Sequence, residues 1–130
     1  MNAMTISHVA LWTKDLSASA SFWNHYFSAE VGETYHSKRR PGFISCFITL
    51  PGCETKIELM TGPWLSPAQE PEHFGWDHVA ISLGSRAAVD ELAARCEKDR
   101  RLLSGPRPTG DGFYEAVIAA PDGTRIEITV

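Results

Sequence analysis

Apolar residues along this chain switch between two periods, and the switches occur twice in the same order. In "TISHVALWT" they alternate, with Val9 and Leu11 on one face and Ile6, His8, Ala10 and Trp12 on the other, which is the period of a half-buried strand. Asp15 can cap a following helix, whose Ser19, Phe22, Trp23, Tyr26 and Phe27 recur at helical spacing. "VGETYHSK", "GFISCFITL" and, past the Pro51-Gly52 turn, "TKIELM" read as strands. The first half is expected to run strand, helix, three strands.

The second half follows the same plan. "WDHVAISL" sets Val79, Ile81 and Leu83 against Trp76, His78, Ala80 and Ser82. Ser85 can cap a helix with a stripe of Val89, Leu92, Ala93 and Cys96, while Glu91 with Arg95 and Glu97 with Arg101 lie at i,i+4 on its wet side. "RLLSGPRPT", "FYEAVIAA" and "TRIEITV" supply three more strands, the last two joined by the hairpin signal Pro121-Asp122-Gly123.

The repetition extends to individual residues. "HVA" stands at 8–10 and 78–80, "PGCETKIELM" answers "PDGTRIEIT", and His8 precedes Glu58 by 50 residues where His78 precedes Glu127 by 49. A match at both ends of a shared spacing marks an internal duplication. Residues 61–75, "TGPWLSPAQEPEHFG", are rich in Pro and Gly and link the copies. A single domain over 1–130 is expected, with module one at about 5–62, a linker at 63–74 and module two at about 75–130, because neither half is large enough to be stable alone.

Alternation also decides where the polar residues of these strands point. The aliphatic faces can pack under the two helices, which leaves His8, Glu58, His78 and Glu127 on the opposite faces. The expected fold class is α+β: a curved mixed sheet forming a cup, with helices on its outer face and these four residues lining it. Two imidazoles and two carboxylates make an N₂O₂ set suited to one divalent ion such as Zn, Ni, Co, Mn or Fe(II), with coordination positions left for substrate or water. A single strand histidine or glutamate is ordinarily hydrogen-bonded or solvated; four at equivalent points of a repeat call for a common cause. His25, His36 and His73 fall outside the pattern, on a helix, an edge strand and the linker.

Composition narrows the partners. At 130 residues, 43% apolar, with a net charge of −4, the chain has no electrostatic attraction to nucleic acid or anionic membrane, and a small-molecule substrate is expected. Three cysteines without CxxC spacing, no signal-peptide pattern and no apolar run of membrane length fit a reduced cytoplasm. The thiols read as packing or turn residues. The leader Met1-Asn2-Ala3-Met4 offers two possible starts and is left out of fold reasoning.

The motifs "ISHVALWTKDLSASASFW", "TKIELMTGPW", "WDHVAISL" and "APDGTRIEIT" resemble those of the vicinal oxygen chelate superfamily, from about residue 5 to the C-terminus. That superfamily includes glyoxalase I, methylmalonyl-CoA epimerase, extradiol dioxygenases, fosfomycin-resistance enzymes and bleomycin-binding proteins. The resemblance implies two βαβββ modules around a divalent metal, and its glyoxalase I-like branch implies His8, Glu58, His78 and Glu127 as ligands. It further implies a metal that holds vicinal substrate oxygens and stabilises enediolate-like charge, with Glu127 as the first choice of base and Glu58 the second. A homodimer is implied too, with each site built from one chain or from both. Glutathione-dependent bacterial members place an Arg four residues past the first metal His and an Asn four past the first metal Glu, where this chain has Trp12 and Gly62. The match is therefore closer to uncharacterised glyoxalase-like bacterial proteins.

Trp12, Phe47, Trp64, Trp76 and Tyr114 are candidates for substrate-pocket walls. The basic run Lys38-Arg39-Arg40 could meet a substrate carboxylate or phosphate, although a solvated strand end is the favoured reading. The leading expectation is a metal-dependent lyase or isomerase of glyoxalase type acting on a small α-hydroxycarbonyl-like substrate. Two alternatives stand beside it. One is an Fe(II) extradiol-type dioxygenase using His8, His78 and Glu127, which leaves Glu58 surplus. The other is a non-catalytic binder of an antibiotic or similar small ligand.

Overall fold

The computed structural model describes residues 2–130. They form two compact units whose boundary, between Pro67 and Ala68, falls inside the proline-rich stretch that links the sequence copies. No helix or strand occurs from 62 to 77.

The first unit contains β1 (His8–Trp12), α1 (Leu16–Phe27), β2 (Glu30–Val31), β3 (Tyr35–His36), β4 (Ile44–Thr49) and β5 (Lys56–Thr61). Its sheet runs β1-β5-β4-β2, with β3 also on β4; β1 and β5 are parallel and the other pairings antiparallel. The Asp15 side chain accepts a hydrogen bond from the Ala18 N–H and so satisfies one of the free donors at the start of α1. Ser19, Phe22, Trp23 and Phe27 are buried on one side of α1, which lies against β4 and β5 over Ile48, Ile57 and Leu59. Each such apolar side chain contributes about 1.5–3 kcal/mol on burial.

The second unit holds β6 (His78–Ser82), α2 (Arg86–Lys98), β7 (Leu102–Pro108), β8 (Tyr114–Ala119) and β9 (Arg125–Thr129), in the order β6-β9-β8-β7. Here β6 and β9 are the parallel pair. Ser85 caps α2 by accepting from Ala88 N–H, and the expected stripe of Val89, Leu92, Ala93 and Cys96 is buried. Both units are βαβββ modules with a mixed sheet and one helix, and the fold is α+β.

One expected strand is divided. Instead of a continuous "VGETYHSK" strand there are two short pieces, β2 and β3, on the same neighbour. The ladder slips by one residue between Val31↔Ile48 and Tyr35↔Ser45, which is a bulge, and the exposed side chains of this edge offer no apolar face to hold one register. Two thiols behave as packing groups, burial raising the pKa of Cys46 and pushing that of Cys96 up to about 11, while exposed Cys53 donates to the Thr55 carbonyl in a turn. Among the described residues, no helix is long and apolar enough to cross a membrane.

Candidate functional site

The sheet registers bring each histidine to its glutamate. Ala10 pairs with Glu58 across β1 and β5, and Ala80 pairs with Glu127 across β6 and β9. His8 and His78 stand two residues earlier on the same strand faces, diagonal to those carboxylates. His8 Nε2 lies 3.6 Å from Glu58 Oε1, and His78 Nε2 lies 2.9 Å from Glu127 Oε2. Two ligands that each bind one ion at about 2.0–2.2 Å are separated by roughly 3–3.5 Å, so each pair is spaced as neighbouring ligands of a common ion would be. The donor types and spacing fit a divalent metal. Each pair offers two donors; among the described residues, no group of three or more His, Cys, Asp or Glu is gathered closely enough to hold an ion.

The surroundings of the two pairs differ. His8 meets the edge of Phe47, ring centroids 5.2 Å apart, and among the described residues its Nδ1 has only the Ser7 hydroxyl, at 3.4 Å. An open hollow of about 610 Å³ lies beside it, lined by residues that include Ser7, Phe47, Glu54 and Lys56. His78 is held at both ring nitrogens, since Asp77 Oδ2 stands 2.6 Å from Nδ1. That hydrogen bond is the main reason the Asp77 carboxyl sits below its ordinary pKa.

Glu127 has a further acidic neighbour. Val117 pairs with Glu127 and Glu115 with Thr129, so Glu115 is on the same face of the sheet. Glu115 is buried, and its pKa is raised first by its hydrogen bond to Glu127, then by desolvation and by the charge of Glu127. Asp77 and Glu115 are absent from the set expected from sequence. The signal for Glu115 was a carboxylate in an otherwise apolar strand, on the alternation face of Val117 and Ala119; Asp77 offered only its place next to His78.

The five aromatic candidates separate. Phe47 lies against His8, while Trp12 and Trp64 meet edge to face in the first unit, centroids 6.1 Å apart. Trp76 is 86% exposed. Tyr114 stands apart from them: its hydroxyl donates to Asp90 and Arg86 lies over its ring, both on α2, so the ring is on the helix-covered face of β8. The physical reason is alternation, which gives the Glu127 face to Glu115 and turns Tyr114 to the other side.

Comparisons with known proteins identify the family and the fold. A family-wide sequence profile described as Glyoxalase/Bleomycin resistance protein/Dioxygenase superfamily matches residues 5–128. The chain belongs to that superfamily. An uncharacterized protein of Pseudomonas aeruginosa is 31% identical, over 96% of this chain and 87% of its own length. Among solved structures, a glyoxylase/bleomycin resistance protein/dioxygenase domain from Frankia sp. EAN1pec has a TM-score of 0.85 at 18% identity, covering 99% of this chain and 98% of that one. The fosfomycin resistance protein FosX of Listeria monocytogenes, solved with Mn(II) and sulfate, has a TM-score of 0.73 at 21% identity, covering 99% and 93%. These likenesses establish the superfamily fold, within which enzymes such as FosX occur.

Proposed function

We infer that this protein is a divalent-metal-dependent lyase or isomerase of glyoxalase type, acting on a small α-hydroxycarbonyl-like substrate. One observation carries the reading: both units set a histidine and a glutamate at ligand spacing in the same strand register. A pair supplies two ligands and a divalent ion takes three or four from protein, so His8, Glu58, His78 and Glu127 are assigned to one ion, with both pairs from one chain or from two copies in a homodimer. The Mn(II) of FosX supports a hard divalent ion in this fold.

A bound divalent ion would act there as a Lewis acid, lowering the energy of negative charge that develops on substrate oxygens. The chain's own groups divide the remaining work. Asp77 holds His78 with one ring nitrogen directed at Glu127. Glu127 is the assigned base: its carboxylate can take a proton from a substrate carbon and return it to the neighbouring one, and the adjacent Glu115 carboxyl can hold a proton in hydrogen bonding with it. Glu58, whose antiparallel neighbour β4 carries no carboxylate, is assigned as a ligand first and a base second. Two carboxylates in the set argue against the Fe(II) dioxygenase reading, which needs only one.

The test is metal removal and return. Chelated protein should take up about one equivalent of Zn, Ni, Co, Mn or Fe(II) per pair of His–Glu pairs, with a rise in melting temperature on loading. No measurable affinity for any of these ions would end the proposal. Oxygen consumption with catechols would move it to the dioxygenase class.

A further inference from the structure

A second cluster in the first unit lies outside the His–Glu pair. The Arg40 guanidinium carbon is 3.9 Å from the ring centroid of Trp64, 5.6 Å from that of Trp12 and 6.0 Å from that of Phe43. Trp12 meets Trp64 and Phe43 edge-on, and Tyr35 packs on Phe43. The basic run expected to be a solvated strand end thus places one of its members over three rings.

The cluster is built rather than incidental. Arg40 N–H donates to Ser37 Oγ at 3.0 Å, Phe43 N–H donates to the Arg40 carbonyl at 3.0 Å, and Ser37 N–H donates to the Phe43 carbonyl at 3.0 Å, which closes the loop that carries Arg40. One glycine makes room for the indole and a second for the proline that precedes it. A Cβ at Gly62 would lie 2.4 Å from the Trp64 ring, and one at Gly42, where φ is +89°, would lie 2.8 Å from Pro63 Cδ. Trp64 occupies the space that a side chain at position 62 would fill.

A stacked guanidinium is satisfied on its faces and leaves its in-plane N–H fork for a bidentate partner. Among the described residues, no carboxylate pairs with Arg40. Trp12 and Trp64 are 40% and 39% exposed, so apolar ring surface stays open beside the fork. We propose that Arg40, framed by Trp12, Phe43 and Trp64, is a binding subsite for a carboxylate borne on an aromatic or similarly flat group. The fork takes the carboxylate, and the indoles cover the flat body behind it.

His8 and Trp12 share a face of β1 four residues apart, about 13 Å at strand rise. If the function proposed above holds, its substrate carries its carboxylate roughly that far from the metal-binding end. The subsite itself requires neither metal nor turnover, so its test can fail while the metal reading stands.

Benzoate titrated into the full-length, metal-free protein should shift the indole N–H resonances of Trp12 and Trp64 saturably, with a dissociation constant on the order of millimolar, and leave buried Trp23 unmoved. Benzamide, which has the same shape without charge, and inorganic phosphate, which has charge without a ring, should each bind at least tenfold more weakly. Arg40→Gln should weaken benzoate at least tenfold with the melting temperature nearly unchanged, and Arg40→Lys should restore only part of that loss. The proposal is overturned if benzoate gives no saturable shift, if benzamide or phosphate binds as well, or if Arg40→Gln binds benzoate like the parent.

Discussion

The two His–Glu pairs share a backbone arrangement and differ in everything that touches them. His8 has an aromatic edge at Phe47, an open hollow beside it and one weak polar neighbour, and its distance to Glu58 is 3.6 Å. His78 is gripped by Asp77 at 2.6 Å and Glu127 at 2.9 Å, and Glu127 is itself hydrogen-bonded to buried Glu115. Duplication reproduced the register because the register follows from aliphatic faces that must pack under a helix. Nothing in that requirement governs the residues around the polar face, so one copy could become aromatic and open and the other acidic and constrained. Under the proposed function, substrate contact falls to the first pair and proton handling to the second.

The sharpest break of this contrast is the exchange of bases. Glu127→Gln should lower kcat by about 10²–10⁴ while keeping the fold, whereas Glu58→Gln should act mainly by weakening metal binding. Single-turnover rates at saturating metal separate the two, and a larger chemical defect in Glu58→Gln would reverse the assignment.

A smaller effect should come from the groups behind the histidines. Asp77→Asn should cost about 10–100-fold in metal affinity, since it weakens the hydrogen bond that orients His78. Ser7→Ala should change affinity by less than about twofold, because a 3.4 Å contact to an exposed ring orients little. Calorimetric titration of both variants tests the contrast directly, and equal losses would remove it.

The smallest effect concerns pH. The Glu115 carboxyl is raised above its ordinary value of 4.5, so its stabilising contribution is full below that value and is lost as the pH climbs through the raised one. Glu115→Gln should therefore flatten the fall in stability of the metal-free protein above about pH 4.5, leaving the variant no less stable than the parent at neutral pH. Melting temperatures across the acid range would show it; a variant that keeps the parent's slope would show that Glu115 is not the group responsible.

Much of the fold was legible in the chain. Period-two and helical stripes placed β1, α1, β5, β6, α2 and β9, and the buried set Val89, Leu92, Ala93 and Cys96 is the one that the α2 stripe anticipates. Regular elements with one apolar face advertise themselves in this way. The split edge of β2 and β3 was not readable, because its side chains are exposed and carry no face preference. The side on which Tyr114 lies was not readable for a related reason: aromatic character says that a ring wants burial but not on which side of the strand.

Periodicity within one strand and repetition between halves together named His8, Glu58, His78 and Glu127, since both depend only on spacing along the chain. Tertiary structure alone decided what surrounds them. Asp77 turning to a ring nitrogen, Glu115 reaching Glu127 from a neighbouring strand, and Arg40 settling on Trp64 are contacts set by register and loop closure. Arg40 and Trp64 stand 24 residues apart with no repeat to link them, and only a folded loop, with glycines where side chains would collide, brings the charge onto the ring.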